Sequence, residues 1–404
     1  MPTSLSPRLS SWVALLFSFA CALAVANVYY AQPLLDAMAR DFAIEPALVG
    51  LVVTLTQVGY GLGLVLLVPL GDLFERRTLI VVQSLLSVLA LLMIALASSS
   101  AWLFAGMALT GLLAVVAQLL VAHAASVSAD HERGHVVGMV TSGIVLGILL
   151  ARTLSGAMAD LAGWRSIYVL SAALTLLMTL LLWRVLPAHN APRPATGYGA
   201  LLASLWHLVR EQPVLRQRAV LAMLSFASAM VLWTPLVLPL SAPPLSLSAT
   251  EVGLFGLAGA AGALAAARAG GLADRGLGQR VSGISLLLML GSWGAIALTQ
   301  QSLWALLLGV VVFDLGLQAL HVASQSMIYR LPPDTHSRLT AAYMLFYSIG
   351  SALGSLASTL AYAWGGWLLV CALGAALNTV ALGYWWRTLR LPAQNSTSSI
   401  TLST

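Results

Sequence analysis

Hydrophobic residues fall into twelve long runs separated by short polar breaks. The runs are Ser11–Tyr30, Ala47–Leu70, Thr78–Ala97, Trp102–Val127, His135–Met158, Ser166–Leu186, Ala219–Leu240, Gly253–Gly271, Val281–Leu298, Leu303–Ile328, Ala341–Tyr362 and Gly366–Trp386. Each is too long for a strand, and a lipid-spanning sheet would have to close into a barrel. Each is close to the roughly 20 apolar residues that carry a helix across a bilayer. The pattern predicts an all-α integral membrane protein with twelve transmembrane helices. Arg8, the first run and Ala24-Val25-Ala26 also resemble a cleavable signal peptide. Cleavage would leave eleven spans and break the repeat described below, so the first run is read as a span.

Composition agrees. Of 404 residues, 60% are apolar and only 8% charged, against about 25% charged in soluble domains. This excludes an ordinary soluble enzyme, a disordered chain and a nucleic-acid binder. Cys21 and Cys371 lie in separate apolar runs, without metal-ligand spacing or a disulfide framework. No cofactor and no metal site are expected.

The charge is carried by arginine, and its placement sets orientation. With the N-terminus in the cytoplasm, the cytoplasmic loops hold Arg76, Arg77, Arg133, Arg193, Arg210, Arg216, Arg218, Arg275, Arg280, Arg330 and Arg338, while the opposite loops hold only Arg40 and Arg165. Both termini are therefore expected in the cytoplasm, in a bacterial inner membrane. The halves repeat: Gly163-Trp164 recurs as Gly366-Trp367, an offset of 203, and Asp72 is matched by Asp274, an offset of 202. Two parallel six-helix repeats are one transporter architecture, with substrate held near the midplane between them. The expected units are residues 1–187 and 219–390. Residues 188–218 form a linker containing an amphipathic helix at Ala200–Arg210, and 391–404 a disordered tail.

Two loops carry specific motifs. Pro69-Leu70-Gly71-Asp72-Leu73-Phe74-Glu75-Arg76-Arg77 follows the second run, and Gly270-Gly271-Leu272-Ala273-Asp274-Arg275-Gly276-Leu277-Gly278-Gln279-Arg280 the eighth. They resemble the Gly-x-Leu-Ala-Asp-Arg-x-Gly-Arg-Arg loop of the major facilitator superfamily, the first copy departing at Val68, Leu73 and Glu75. Further stretches are Asn27–Leu35, Ser142–Thr153 and Asp314–Gln318. With these the chain is similar to the twelve-span drug and sugar efflux (drug–proton antiporter) branch. Gly143 and Gly147 fit that branch's fifth-span signature, Ile148 stands where it has proline, and Met107 where it has a fourth-span arginine. The resemblance implies a latch at Asp72, Arg76, Arg77, Asp274 and Arg275 that closes the cytoplasmic side, the arginines pairing with acids on neighbouring loops.

Charges inside spans are costly, about 2.5–3.5 kcal/mol each on insertion scales, and generally face a cavity or a partner. Asp314, eleven residues into the tenth run, is the candidate proton carrier or a structural hydrogen-bonder. Arg152 is open to three readings: an anchor for an anionic substrate, a partner of a carboxylate, or an inter-helix brace. Asp36 is a second acid for proton coupling, closer to the outer mouth. The resemblance places the first, fourth, seventh and tenth spans along the path. The candidate cavity residues are Asn27, Tyr30, Gln32, Gln118, His123, Trp233, Gln318, His321 and Gln325, with Gln57, Tyr343 and Tyr347 from neighbouring spans. No nucleophile–base or metal-type cluster is present, so the chain is not expected to be an enzyme. The expected function is proton-coupled efflux of a small amphipathic molecule by a monomer. The alternatives are an uptake carrier or uniporter for a metabolite or organic anion, and a transport-inactive membrane scaffold or sensor. Glycines at small-xxx-small spacing are read as helix-packing contacts.

Overall fold

The computed structural model describes residues 11–128, 132–186, 197–331 and 336–390, and among these there is no strand. All twelve apolar runs lie on helix. The first six occupy α1 (Ser11–Tyr29), α3 (Leu51–Leu66), α5 (Arg76–Ala95), α6 (Ser100–Ala114) with α7 (Val116–Val127), α8 (Arg133–Ala162) and α9 (Arg165–Val185). Two short helices, α2 (Leu35–Phe42) and α4 (Leu70–Leu73), sit in the connections. The remaining runs occupy α11 (Pro213–Trp233) with α12 (Val237–Ser241), α13 (Ala249–Leu254) with α14 (Gly259–Leu272), α15 (Gly278–Ile296), α16 (Leu303–Ile328) and α17 (His336–Arg390). Between the halves α10 (Tyr198–Glu211) covers the expected amphipathic segment. The proposed start of the linker and the tail from residue 391 lie outside the described residues.

Among the described residues, eight stretches are long and apolar enough to cross a membrane. The longest, Arg338–Leu389, is broken at Gly365–Gly366, where Gly366 takes φ 62°. Leucines and tryptophans point outward all round, as a lipid-facing surface requires. Exposed Trp12, Trp183, Trp206 and Trp386 gather at the end where α1 starts, here the near end. Exposed Trp102, Trp304 and Trp364 gather at the far end. Tryptophan belts at both ends match the two membrane–water interfaces.

The internal repeat extends to local chemistry. Ser99 caps α6 by accepting from Trp102 N–H, and Ser302 caps α16 by accepting from Ala305 N–H. Gly163 matches Gly366 in taking a positive φ, 83° against 62°, a conformation that favours glycine. Gly143 and Gly147 lie directly on the backbone carbonyls of Ser18 and Ala22, joining α8 to α1. Gly350 and Gly354 do the same on Met223 and Ala227, joining α17 to α11. These glycines serve close helix packing, as their spacing predicts.

Two seams join the N-terminal helices to the C-terminal ones. Along α3 and α17, Thr359 donates to Ala47 O (3.0 Å), Ser355 to Gly50 O (3.3 Å), Thr54 to Ala352 O (3.3 Å) and Ser348 to Gln57 O (2.5 Å). Along α8 and α13, Thr153 donates to Gly253 O (3.0 Å). These links start at the far end and reach inward as far as Ser348. Asp160, at the end of α8, accepts from the Ala249 and Thr250 amides (3.3 and 2.8 Å) and from the Thr250 hydroxyl. An anion is thereby placed at the first turn of a helix from the other half, where unpaired N–H groups favour it.

Asp160 is exposed, so these bonds are worth less than buried ones, in total about 1–2 kcal/mol. Asp160→Ala is expected to lower disulfide cross-linking between cysteines at positions 47 and 359 by about tenfold. Unchanged cross-linking would show that the seam does not depend on this contact.

Candidate functional site

The central site is made where helices end or break. α1 stops at Tyr29, and Pro33 shapes the following turn, Gln32–Leu34, which buries Gln32. α11 stops at Trp233, two residues before Pro235, which cannot continue the helical hydrogen bonding. The turn Phe255–Ala258 and the start of α14 bring glycines toward the centre. A Cβ on Gly256 would stand 3.0 Å from the Arg152 Cβ, and one on Gly259 3.2 Å from Asp314 Oδ2. Glycine there gives both charged side chains room.

Arg152, from α8, is buried. Its Nε donates to Gln32 Oε1 at 2.5 Å, and its guanidinium carbon lies 4.0 Å from the Trp233 ring centroid and 5.2 Å from that of Tyr29. Trp233 Nε1 in turn donates to Asp314 Oδ1 at 3.4 Å. One indole therefore carries a cation on its face and an acid at its edge. Arg152 and Asp314 form no ion pair within 4 Å. A desolvated cation–π contact contributes about 2 kcal/mol and a hydrogen bond from a charged group about 1.5–3. Together these offset the cost of about 2.5–3.5 kcal/mol for placing arginine at mid-span. The residue is stabilised there without a carboxylate.

An aromatic cluster continues from Tyr29. Its hydroxyl meets that of Tyr347 at 2.7 Å across the halves. Tyr347 packs on Phe226 with centroids 4.0 Å apart, and His321 Nδ1 lies 3.0 Å from the Tyr343 hydroxyl. Of the expected residues, the structure thus brings together Gln32, Arg152, Trp233, Asp314, His321, Tyr343 and Tyr347. Gln32 also contacts Met230 Sδ at 3.6 Å.

The others are engaged elsewhere. Asn27 accepts from Ser171 (2.6 Å), Tyr30 packs edge-on against Tyr168, and His123 packs against Phe17, all among the N-terminal helices. Asn27 borders a cavity of only about 20 Å³. Gln118 donates weakly to Tyr60 (3.4 Å), and the Gln57 amide is sealed beside the α3–α17 seam without a hydrogen-bond partner. Gln318 is half-buried against Gly262. Gln325 borders a cavity of about 720 Å³ at the near end, with Arg275 and Arg330. Asp36 pairs with Arg40 at 2.8 Å, one helical turn away, rather than with Arg152.

The loop arginines hold backbone carbonyls among the described residues. Arg76 donates to Gly71 O (3.2 Å) and Ala122 O (3.1 Å), and Arg77 to Trp183 O (2.6 Å). Gly71 lies in the short α4, Ala122 within α7, and Trp183 in the last turn of α9, where partial negative charge accumulates. The side chains of Asp72 and Asp274 lie outside the described residues. Arg218, counted with the loop in the sequence, is buried within α11 and donates to Ser282 at 2.8 Å.

Sequence reasoning missed Tyr29, Phe226 and Asp160. It also missed the far-end cluster in which Asp41 accepts from Trp164 Nε1 (2.9 Å) and from Arg165. The presence of Asp41 five residues after Asp36 was the available signal for that cluster.

Comparison with known proteins is consistent along the whole chain. The sequence model described as Major Facilitator Superfamily matches residues 15–278 and 237–402. The putative uncharacterized transporter YgaY of Escherichia coli K12 is 47% identical over 380 residues, covering 94% of this chain and 96% of that one. A probable sugar efflux transporter of Helicobacter pylori HPAG1 is 24% identical, over 88% of this chain and 89% of its own. In architecture the chain matches the crystal structure of a bacterial homolog of the human lysosomal transporter Spinster, inward-facing and unoccupied. That match has a TM-score of 0.74 at 16% identity, covering 95% of this chain and 99% of the other.

Proposed function

Because the chain belongs to the Major Facilitator Superfamily, and is therefore a multi-pass membrane transporter of small molecules rather than an enzyme, we propose that it exports a small amphipathic molecule in exchange for protons. The observation that carries this reading is the pair of buried charges, Arg152 and Asp314, brought from opposite halves onto one indole and left unpaired with each other. Static bracing would be served by a direct pair. Two buried charges that share an indole without forming an ion pair suit a site whose partners change during a cycle. The relative named for sugar efflux supports the outward direction.

In this reading the membrane is the bacterial inner membrane, with twelve spans and both termini cytoplasmic. The units 1–187 and 219–390 rock about the central site, joined by 188–218. The near end then faces the cytoplasm, and the α3–α17 and α8–α13 seams close the periplasmic side. The loops at Asp72 and Asp274 close the other side in the opposite state. Asp314 takes the proton, and a monomer suffices.

The test is substrate-induced proton movement in proteoliposomes across cationic drugs, sugars, amino acids and organic anions. Proton movement with one class supports the proposal. Substrate flux without proton movement overturns the exchange mechanism.

A further inference from the structure

We infer that Arg152 is the anchor for a monocarboxylate, so that the transported molecule is a small organic acid with an apolar body. The inference rests on the reading that the space between the halves is the transport path. It depends neither on proton coupling nor on direction.

Arg152 as a whole residue is 6% exposed. Only its Nε is committed, to Gln32 Oε1 at 2.5 Å. Among the described residues neither Nη makes a hydrogen bond or an ion pair, yet neither belongs to the polar atoms sealed away without a partner. A buried guanidinium whose outer fork is unbonded and not fully sealed matches the two oxygens of a carboxylate in parallel hydrogen bonds. Gln32 is the positioning residue: by holding Nε it fixes the plane of the fork. The rings of Trp233 and Tyr29 lie 4.0 and 5.2 Å from the guanidinium carbon and supply apolar faces beside the headgroup. Tyr29 continues into the cluster of Tyr347 and Phe226, which extends that apolar surface. Asp314 is at the edge of the Trp233 indole and is not paired with the guanidinium. The two charges interact at a distance without forming an ion pair, so the guanidinium keeps its outer fork for a ligand, and a monoanion leaves less excess charge there than a doubly charged phosphate. A buried charge in excess of its partner is strongly disfavoured.

The probes are carboxylates from acetate through benzoate to cinnamate, each beside its neutral amide and, for benzoate, benzylamine. The first measurement is the thermal midpoint of the full chain in detergent. Benzoate or cinnamate is expected to raise it and the amides are not. Arg152→Lys is expected to weaken that binding about tenfold or more, because the bidentate fork is lost, and Arg152→Gln to abolish it. Should those variants fail to fold, carboxylate protection of Arg152 from phenylglyoxal, mapped by mass spectrometry in the unaltered chain, reads the same contact. Equal effects of amides and carboxylates, binding retained in Arg152→Gln, or no effect of any carboxylate would each overturn the inference. A carboxylate carried without proton movement would leave it standing and sink proton exchange, whereas protons exchanged for a sugar or a cation would do the reverse.

Discussion

Replacing Gly156 by valine is expected to hold the far end of the molecule open. A Cβ at this position would collide with the Ala249 carbonyl, its oxygen first and its carbon at 2.7 Å, and would come within 3.1 Å of the Thr250 Cα. All three are backbone atoms of the opposite half, so no side chain can swing aside. Either helix α8 moves away from α13 or the state with this seam closed is lost. Inserting bulk into a packed contact costs about 1–3 kcal/mol, equivalent to about a 5- to 150-fold shift between states. The reporter is again the cysteine pair at positions 47 and 359, across the other seam, where Thr359 donates to Ala47 O at 3.0 Å. Gly138→Val is the control. It lies on the same helix, and its Cβ would meet nothing within 4 Å. Loss of cross-linking in the first variant with retention in the second is the expected pattern. Equal cross-linking in both would show that the α8–α13 seam yields locally without coupling to α3 and α17.

Asp314→Asn is expected to abolish substrate-driven proton movement while leaving the protein folded. An amide keeps the shape of the carboxyl and can still accept from Trp233 Nε1, now 3.4 Å from Asp314 Oδ1. It cannot exchange a proton. The substitution also removes a charge costing about 2.5–3.5 kcal/mol at mid-span, so membrane insertion should be unimpaired. The measurement is proton movement beside substrate counterflow, which needs no proton gradient. Counterflow retained with proton movement at background is the result that places the proton on Asp314. Proton movement at the wild-type level would remove Asp314 from the coupling and move attention to other acids.

The two sites differ in what a change reads out. Gly156 acts through backbone contact and alters which state is populated, whatever the substrate. Asp314 acts through charge and alters what is carried along with the substrate. A variant of either kind that affected both readouts equally would indicate that the seam and the central indole move as one unit.

The apolar runs, the arginine bias and the internal repeat could all be read from the sequence. A bilayer tests each segment almost separately: backbone groups must be satisfied within the helix, and side chains must suit the solvent at that depth. The repeated Gly-Trp and Ser caps are likewise local in their requirements. Arg152 and Asp314 were legible as costly residues inside spans. Their shared partner Trp233 was legible only as one aromatic among several.

Pairings were decided by the tertiary structure. Tyr29 and Tyr30 are neighbours in the chain, but about 100° of helical rotation separates them. The first therefore meets Tyr347 of the other half, while the second packs on Tyr168 within its own. Arg218 reads as a loop charge until α11 is found to begin at Pro213 and bury it beside Ser282. Asp160 gains its role only because α13 brings its amides to that carboxylate from a segment about ninety residues away. The sequence by itself determined which segments enter the membrane and that they come in two copies, because those properties depend on local hydropathy and charge. Only the tertiary structure decided which side chains meet at the centre, because that depends on the rotation and register of helices far apart in the chain.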